Sequence, residues 1–180
     1  MIQLYQTVED RSNPDYLEKN GPIFCKNNPW LGRGYYFWDS FYENAEWWGQ
    51  VHYANNYMIC ADESDCEHEM FDLVGNTQHL QQMYIAASKL RVSFKNRKLY
   101  VAHVLAFIRG ELKSFTYKAV RANAINSKRY IGLEQIVYFP NDHSYLELLP
   151  PIQVCVYDKS FLSGKFRVIY PPQYREDFTI

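Results

Sequence analysis

The spacing of apolar positions separates an early stretch of mixed strands and helices from a late stretch of short β-type runs. Residues 2–8 are apolar and β-branched enough for an opening strand. Residues 13–20 (NPDYLEKN) predict a short helix, with Asn13 as its cap, Pro14 in its first turn and Gly21-Pro22 as its stop. A loop over 26–34, rich in Asn, Pro and Gly, leads into an aromatic strand, Tyr35-Tyr36-Phe37-Trp38. Ser40 and Glu43 have the spacing of a capping box. Phe41, Ala45 and Trp48 then follow at i, i+4 and i+7, the pattern of one buried helix stripe, while Asn44 and Trp47 share a different face.

Further on, 56–61 reads as a strand and 62–69 (DESDCEHE) as a solvated acidic loop. Residues 77–91 form an amphipathic helix with Leu80, Met83, Tyr84, Ala87 and Leu90 inward, and 98–109 a further helix. From about 115 the runs 116–121, 134–139, 144–148, 152–157 and 166–170 read as strands. Mixed elements early and strands late predict an α+β fold rather than a doubly wound sheet.

At 180 residues, 47% of them hydrophobic and 22% charged, the chain is expected to form a single domain over 1–180 with a substantial core. Its 19 basic and 20 acidic residues leave a net charge of −1, which disfavours a general binder of phosphate backbones. Aromatic content is high, at 17%; a Tyr-rich core and surface is the default reading, although aromatics also line ligand clefts. No apolar run approaches the length of a membrane span, and residues 1–7 lack the basic-then-apolar order of a signal peptide. Cys25, Cys60, Cys66 and Cys155 are scattered, as expected of free thiols, so a cytoplasmic protein without membrane association is expected.

Local motifs are weak. Cys60, Cys66 and His68 lack a second ligand pair of zinc-site spacing, and Gly32-Arg33-Gly34 lacks both the Walker lysine and the dinucleotide fingerprint. Cysteine–histidine catalysis has no local context that selects a pair.

Three segments say more together. Leu4-Tyr5-Gln6-Thr7 lies in the opening strand, and Leu31-Gly32-Arg33-Gly34-Tyr35-Tyr36-Phe37-Trp38-Asp39 precedes a helix carrying Ala45 and Trp47. Glu134-Gln135-Ile136-Val137-Tyr138 stands in a late strand. In this order they resemble the ADP-ribosyltransferase superfamily, in particular its poly(ADP-ribose) polymerase-like branch. That branch has a His-Gly pair in the first strand, then G-x-G-x-Tyr-Phe-x-Asp before a helix with an aromatic, and later a catalytic Glu in E-x-I/V-V-Y.

The resemblance implies a split β-sheet, two packed and mainly antiparallel sheets with flanking helices, with NAD as a substrate held in a cleft between the halves. It implies that Tyr36 stacks on the nicotinamide ring, that Trp47 forms the second aromatic wall and that Gly34 belongs to the NAD site. Asn44 would bond the carboxamide, and Thr7 would offer its backbone to it. Glu134 would be the catalytic carboxylate, stabilising the positive charge that develops on the ribose as the nicotinamide bond breaks. Gln6 stands where the family has the histidine that holds the adenosine ribose, and Thr7 where it has glycine. Gly132, two residues before Glu134, replaces the carboxylate of the arginine-modifying toxins and argues against arginine as the acceptor.

The resulting expectation is transfer of single ADP-ribose units to a protein or nucleic-acid acceptor. A non-catalytic NAD or ADP-ribose binding module, an NAD glycohydrolase, and an unrelated α+β protein whose aromatics form the core remain alternatives.

Overall fold

The computed structural model describes residues 1–27, 29–94, 98–111, 115–124, 136–138 and 145–175. The elements are β1 (Ile2–Glu9), α1 (Pro14–Asn20), β2 (Phe24–Cys25), β3 (Gly34–Asp39), α2 (Tyr42–Tyr53), β4 (Tyr57–Ser64), β5 (Met70–Asp72), α3 (Thr77–Phe94), α4 (Val101–Glu111), β6 (Ala119–Asn123), β7 (Ile136–Tyr138), β8 (Tyr145–Glu147), β9 (Ile152–Val156) and β10 (Arg167–Tyr170). The fold is α+β, as the early and late patterns predict.

Its main sheet runs β10-β4-β1-β3-β9-β6-β5, with β2 added on β3. Every pairing is antiparallel except β5 with β6. β7 and β8 form a separate two-stranded ladder. β1 is interior, between β4 and β3, as expected of a central opening strand. The expected two packed sheets are absent among the described strands. Leu4 and Tyr5 pair with Asp39 and Trp38, and this short ladder joins the two halves into one sheet.

Strand alternation sends Ile2, Leu4, Phe37, Met58, Cys60, Val154 and Val156 to one face, where Leu17 of α1, Phe161 and Phe166 cover them. On the other face two groups of helices divide the sheet. α2 packs through Ala45 on Trp38, Tyr57 and Ile59. α3 and α4 pack through Ala86, Val104, Leu105 and Ile108 on Phe71, Val120 and Cys155. Full burial of one such aliphatic side chain contributes about 1.5–3 kcal/mol.

Helix starts and faces depart from the local reading. Asn13 makes no side-chain capping bond, so α1 begins on the preset backbone of Pro14. α2 has no capping box. Ser40 has φ +61°, its hydroxyl donates to Asp39 Oδ1 at 2.6 Å, and the helix begins at Tyr42. The inward residues of α2 are Asn44, Ala45 and Gly49 rather than Phe41, Ala45 and Trp48. Small residues win because the helix lies close on the sheet: a Cβ at Gly49 would sit 2.4 Å from the Tyr57 ring.

α3 presents His79, Met83, Ala86, Ala87 and Leu90 inward, and leaves Leu80 and Tyr84 exposed at 44% and 73%. His79 anchors this rotation of about 50°. Its Nδ1 accepts from the Asp72 amide at 2.9 Å, its Nε2 meets the Tyr117 hydroxyl at 2.9 Å, and its ring stacks on Phe71. The acidic stretch is not a simple loop: β4 runs on to Ser64, and Glu67–Glu69 forms a 3-10 turn. Among the described residues no helix is long and apolar enough to cross a membrane. All four cysteines are free.

Candidate functional site

β1 pairs with β4 along its whole length, Ile2↔Ser64 to Glu9↔Tyr57, but with β3 only at Leu4 and Tyr5. β3 continues its ladder with β9 instead, through Tyr35, Tyr36, Phe37 and Trp38. The two strands therefore part after Tyr5. The Gln3 carbonyl accepts from Ser40 N on the β3 side, and Asp10 N donates to Asn56 on the β4 side. Odd residues of β1 thus direct their backbone groups toward β3. The Thr7 N–H and C=O point into the gap, beyond the last β1–β3 pair.

Gln6 ties the gap at its base. Its Nε2 donates to the Ile23 carbonyl at 3.0 Å and to the Tyr36 carbonyl at 3.2 Å, and its Oε1 accepts from Ile23 N at 2.6 Å. Thr7 Oγ1 donates to the Ala45 carbonyl at 2.8 Å and clamps α2 onto the strand.

Over this split lies a cleft of about 1000 Å³. Trp47, Trp48, His52 and Tyr53 of α2 form one wall, and Asn123, Pro151 and Gln153 lie opposite. Tyr36 and Trp38 contribute from the sheet, and Lys26, Asn27 and Trp30 from the loop before β3. Trp47 meets Trp38 edge-on with centroids 6.3 Å apart, and Trp48 stacks on His52 at 4.5 Å. Trp30 Nε1 donates to Gln153 Oε1 at 2.7 Å, fixing the loop across the cleft. Lys26 and the imidazole of His52 are the lining groups able to carry positive charge, and no carboxylate lines the cleft among the described residues.

Gln6, Thr7, Tyr36 and Trp47 all line this cleft. Two of them are more constrained than expected. The Gln6 amide has both its N–H groups committed to backbone carbonyls, so it holds the split instead of presenting donors to a ligand. Tyr36 lines the cleft, but its hydroxyl donates to the Gly32 carbonyl and accepts from Leu31 N, both at 2.8 Å. Burial pushes that phenol well above the ordinary tyrosine range, so it stays protonated.

Asn44 and Gly34 do not line the cleft. Asn44 is fully buried under α2 and donates Nδ2 to the Pro150 carbonyl at 3.0 Å. Gly34 is required by strand packing, because a Cβ there would lie 2.6 Å from Cys155 Sγ and from the Val156 carbonyl oxygen. Arg33 is exposed and outside the lining. Glu134 and residues 125–133 before it lie outside the described residues. Among the described residues no cluster of three metal-ligating side chains occurs, and Cys60 is buried in the core.

Sequence reasoning missed Trp30, Trp38, His52, Lys26 and Gln153, and placed Trp48 in the core stripe. The one signal available was the density of tryptophan between 30 and 48. Gln153 reaches the cleft because β9 pairs it with Trp38, which no local pattern encodes. Comparison with family models, with curated proteins and with solved structures finds no match to this chain.

Proposed function

We propose that the protein is an NAD-dependent ADP-ribosyltransferase that releases nicotinamide and adds single ADP-ribose units to a protein or nucleic-acid acceptor. One observation carries the reading. Gln6, Thr7, Tyr36 and Trp47, positions that the resemblance assigns to the NAD site although Gln6 and Thr7 replace its His-Gly pair, come from three separate elements and line one cleft over a parted sheet.

The chemistry follows from the groups present. A carboxamide offers one acceptor and two donors, the complement of the Thr7 N–H and C=O that face the gap. In this reading the nicotinamide ring packs against Trp47 and Tyr36, which line the same cleft. Tyr36 acts by its face, since its hydroxyl is engaged elsewhere. Gln6 acts as a positioning residue that keeps Thr7 and Tyr36 at a fixed separation.

Nicotinamide leaves with the electron pair of the C1′–N bond, and C1′ becomes positively charged. The acceptor nucleophile then bonds to C1′ and loses its proton. The resemblance assigns charge stabilisation to Glu134. Water in place of the acceptor would make the protein a glycohydrolase.

The test is release of nicotinamide from NAD, with mass spectrometry of the protein and a lysate for ADP-ribose adducts. Glu134→Gln is expected to lower release by on the order of 10²–10³-fold, the scale of one lost preorganised electrostatic partner. Free ADP-ribose without adducts would identify the glycohydrolase.

The committed amide of Gln6 specifically favours a second reading, a module that binds NAD without turnover. It predicts no release, together with a stabilisation of about 2.7 kcal/mol at NAD one hundred times above its Kd.

A further inference from the structure

We infer that Lys26 is the phosphate-reading residue of the cleft, and that the site admits an additional phosphate on the adenosine ribose, so that NADP is used alongside NAD. The inference rests on the dinucleotide reading above.

Lys26 follows directly on β2, whose Cys25 pairs with Gly34 at the start of β3. Cys25 and Tyr53, in the last turn of α2, both line the cleft. Lys26 thus lines the side of the cleft formed by the end of β2. The Thr7 backbone and Trp47 lie beside the first half of that helix, where Thr7 bonds Ala45. For a ligand whose planar ring sits against Thr7 and Trp47, Lys26 is the lysine of the same cleft that its anionic portion can meet.

Three observations make Lys26 the reader. Its side chain is exposed at the cleft and has no ion-pair partner among the described residues. Arg33, the other cation of this loop, lies outside the lining. The lining also lacks carboxylates among the described residues. Sites that select NAD against NADP hold the adenosine ribose with an acidic side chain, which bonds the 2′-hydroxyl and repels a 2′-phosphate. A cleft with a lysine and no described acid contains the attraction without the repulsion.

The test uses the full chain and compares NAD with NADP by ligand-induced melting shift and by nicotinamide release, at low and high salt. Wild type is expected to bind NADP within about tenfold of NAD. Lys26→Glu is expected to weaken both by roughly tenfold or more, the scale of one charge-assisted hydrogen bond, with the larger loss for NADP. High salt should narrow the difference between the two variants. Lys26→Gln, which keeps the length and the polarity, should fall between them.

If wild type binds NAD but excludes NADP by more than about a hundredfold, or if Lys26→Glu leaves both affinities unchanged, the inference is wrong while the NAD reading stands. If neither dinucleotide shifts the melting of wild type, the NAD reading fails and takes the inference with it.

Discussion

Gln6 Nε2 donates to the Tyr36 carbonyl at 3.2 Å across the gap where β1 and β3 part. The same carboxamide closes a two-way contact with the backbone of Ile23, so one side chain takes the place of the missing ladder. A residue 5% exposed in this role supports the fold as much as the site.

Gln6→Leu is therefore expected to destabilise the protein by about 2–4 kcal/mol, because it leaves the Ile23 N–H and two carbonyls without their partner. Gln6→Glu should also destabilise, since a carboxylate would face those two carbonyls. Urea denaturation measures both. If Gln6 were free to serve a ligand alone, each variant would unfold at the wild-type midpoint.

A second prediction concerns charge under the sheet. Asp39 is 1% exposed, and its Oδ2 lies 2.6 Å from Arg121 Nε in an ion contact off the linear hydrogen-bond geometry. Asp72 lies 3.6 Å from Arg121 Nη1. Arg121→Met strands the buried carboxylate and is expected to cost about 3–5 kcal/mol. Adding Asp39→Asn should restore part of the loss, because no uncompensated charge then remains. A double-mutant cycle reads the coupling. An Arg121→Met protein within about 0.5 kcal/mol of wild type would show that the pair is hydrated.

The cysteines provide a pH prediction. Burial pushes Cys60 and Cys155 up to about 12, whereas Cys25 and Cys66 are half-buried. An unfolded chain loses these thiol protons near pH 8.5, while the native state keeps them. The unfolded state then binds fewer protons, so stability should fall as pH rises from about 8.5 towards 12. Below that window the thiols contribute their full stabilisation. A disulfide-forming reagent at neutral pH should modify Cys25 and Cys66 first, and the other two only in denaturant. Four equally fast cysteines would contradict the burial.

Period and punctuation made much of the fold legible in the chain itself. The apolar, β-branched run of residues 2–8, Pro14 with Gly21, and the short β-runs after 115 depend on neighbours within a few residues, so their elements appear at or near the expected positions. The approach of Thr7, Tyr36 and Trp47 to one site was legible only through motif resemblance, because local pattern carries no distance between segments. Tertiary structure decided the rest. His79 turned α3 by its bonds to Asp72 and Tyr117, and Gly49 brought α2 close enough to bury Asn44. The register of β9 carried Gln153 to Trp38, and the parting of β1 from β3 left the Thr7 backbone facing a cleft while consuming the Gln6 amide. Such outcomes depend on which distant partner satisfies a polar group or fills a volume, and that competition is settled only when the whole sheet is assembled.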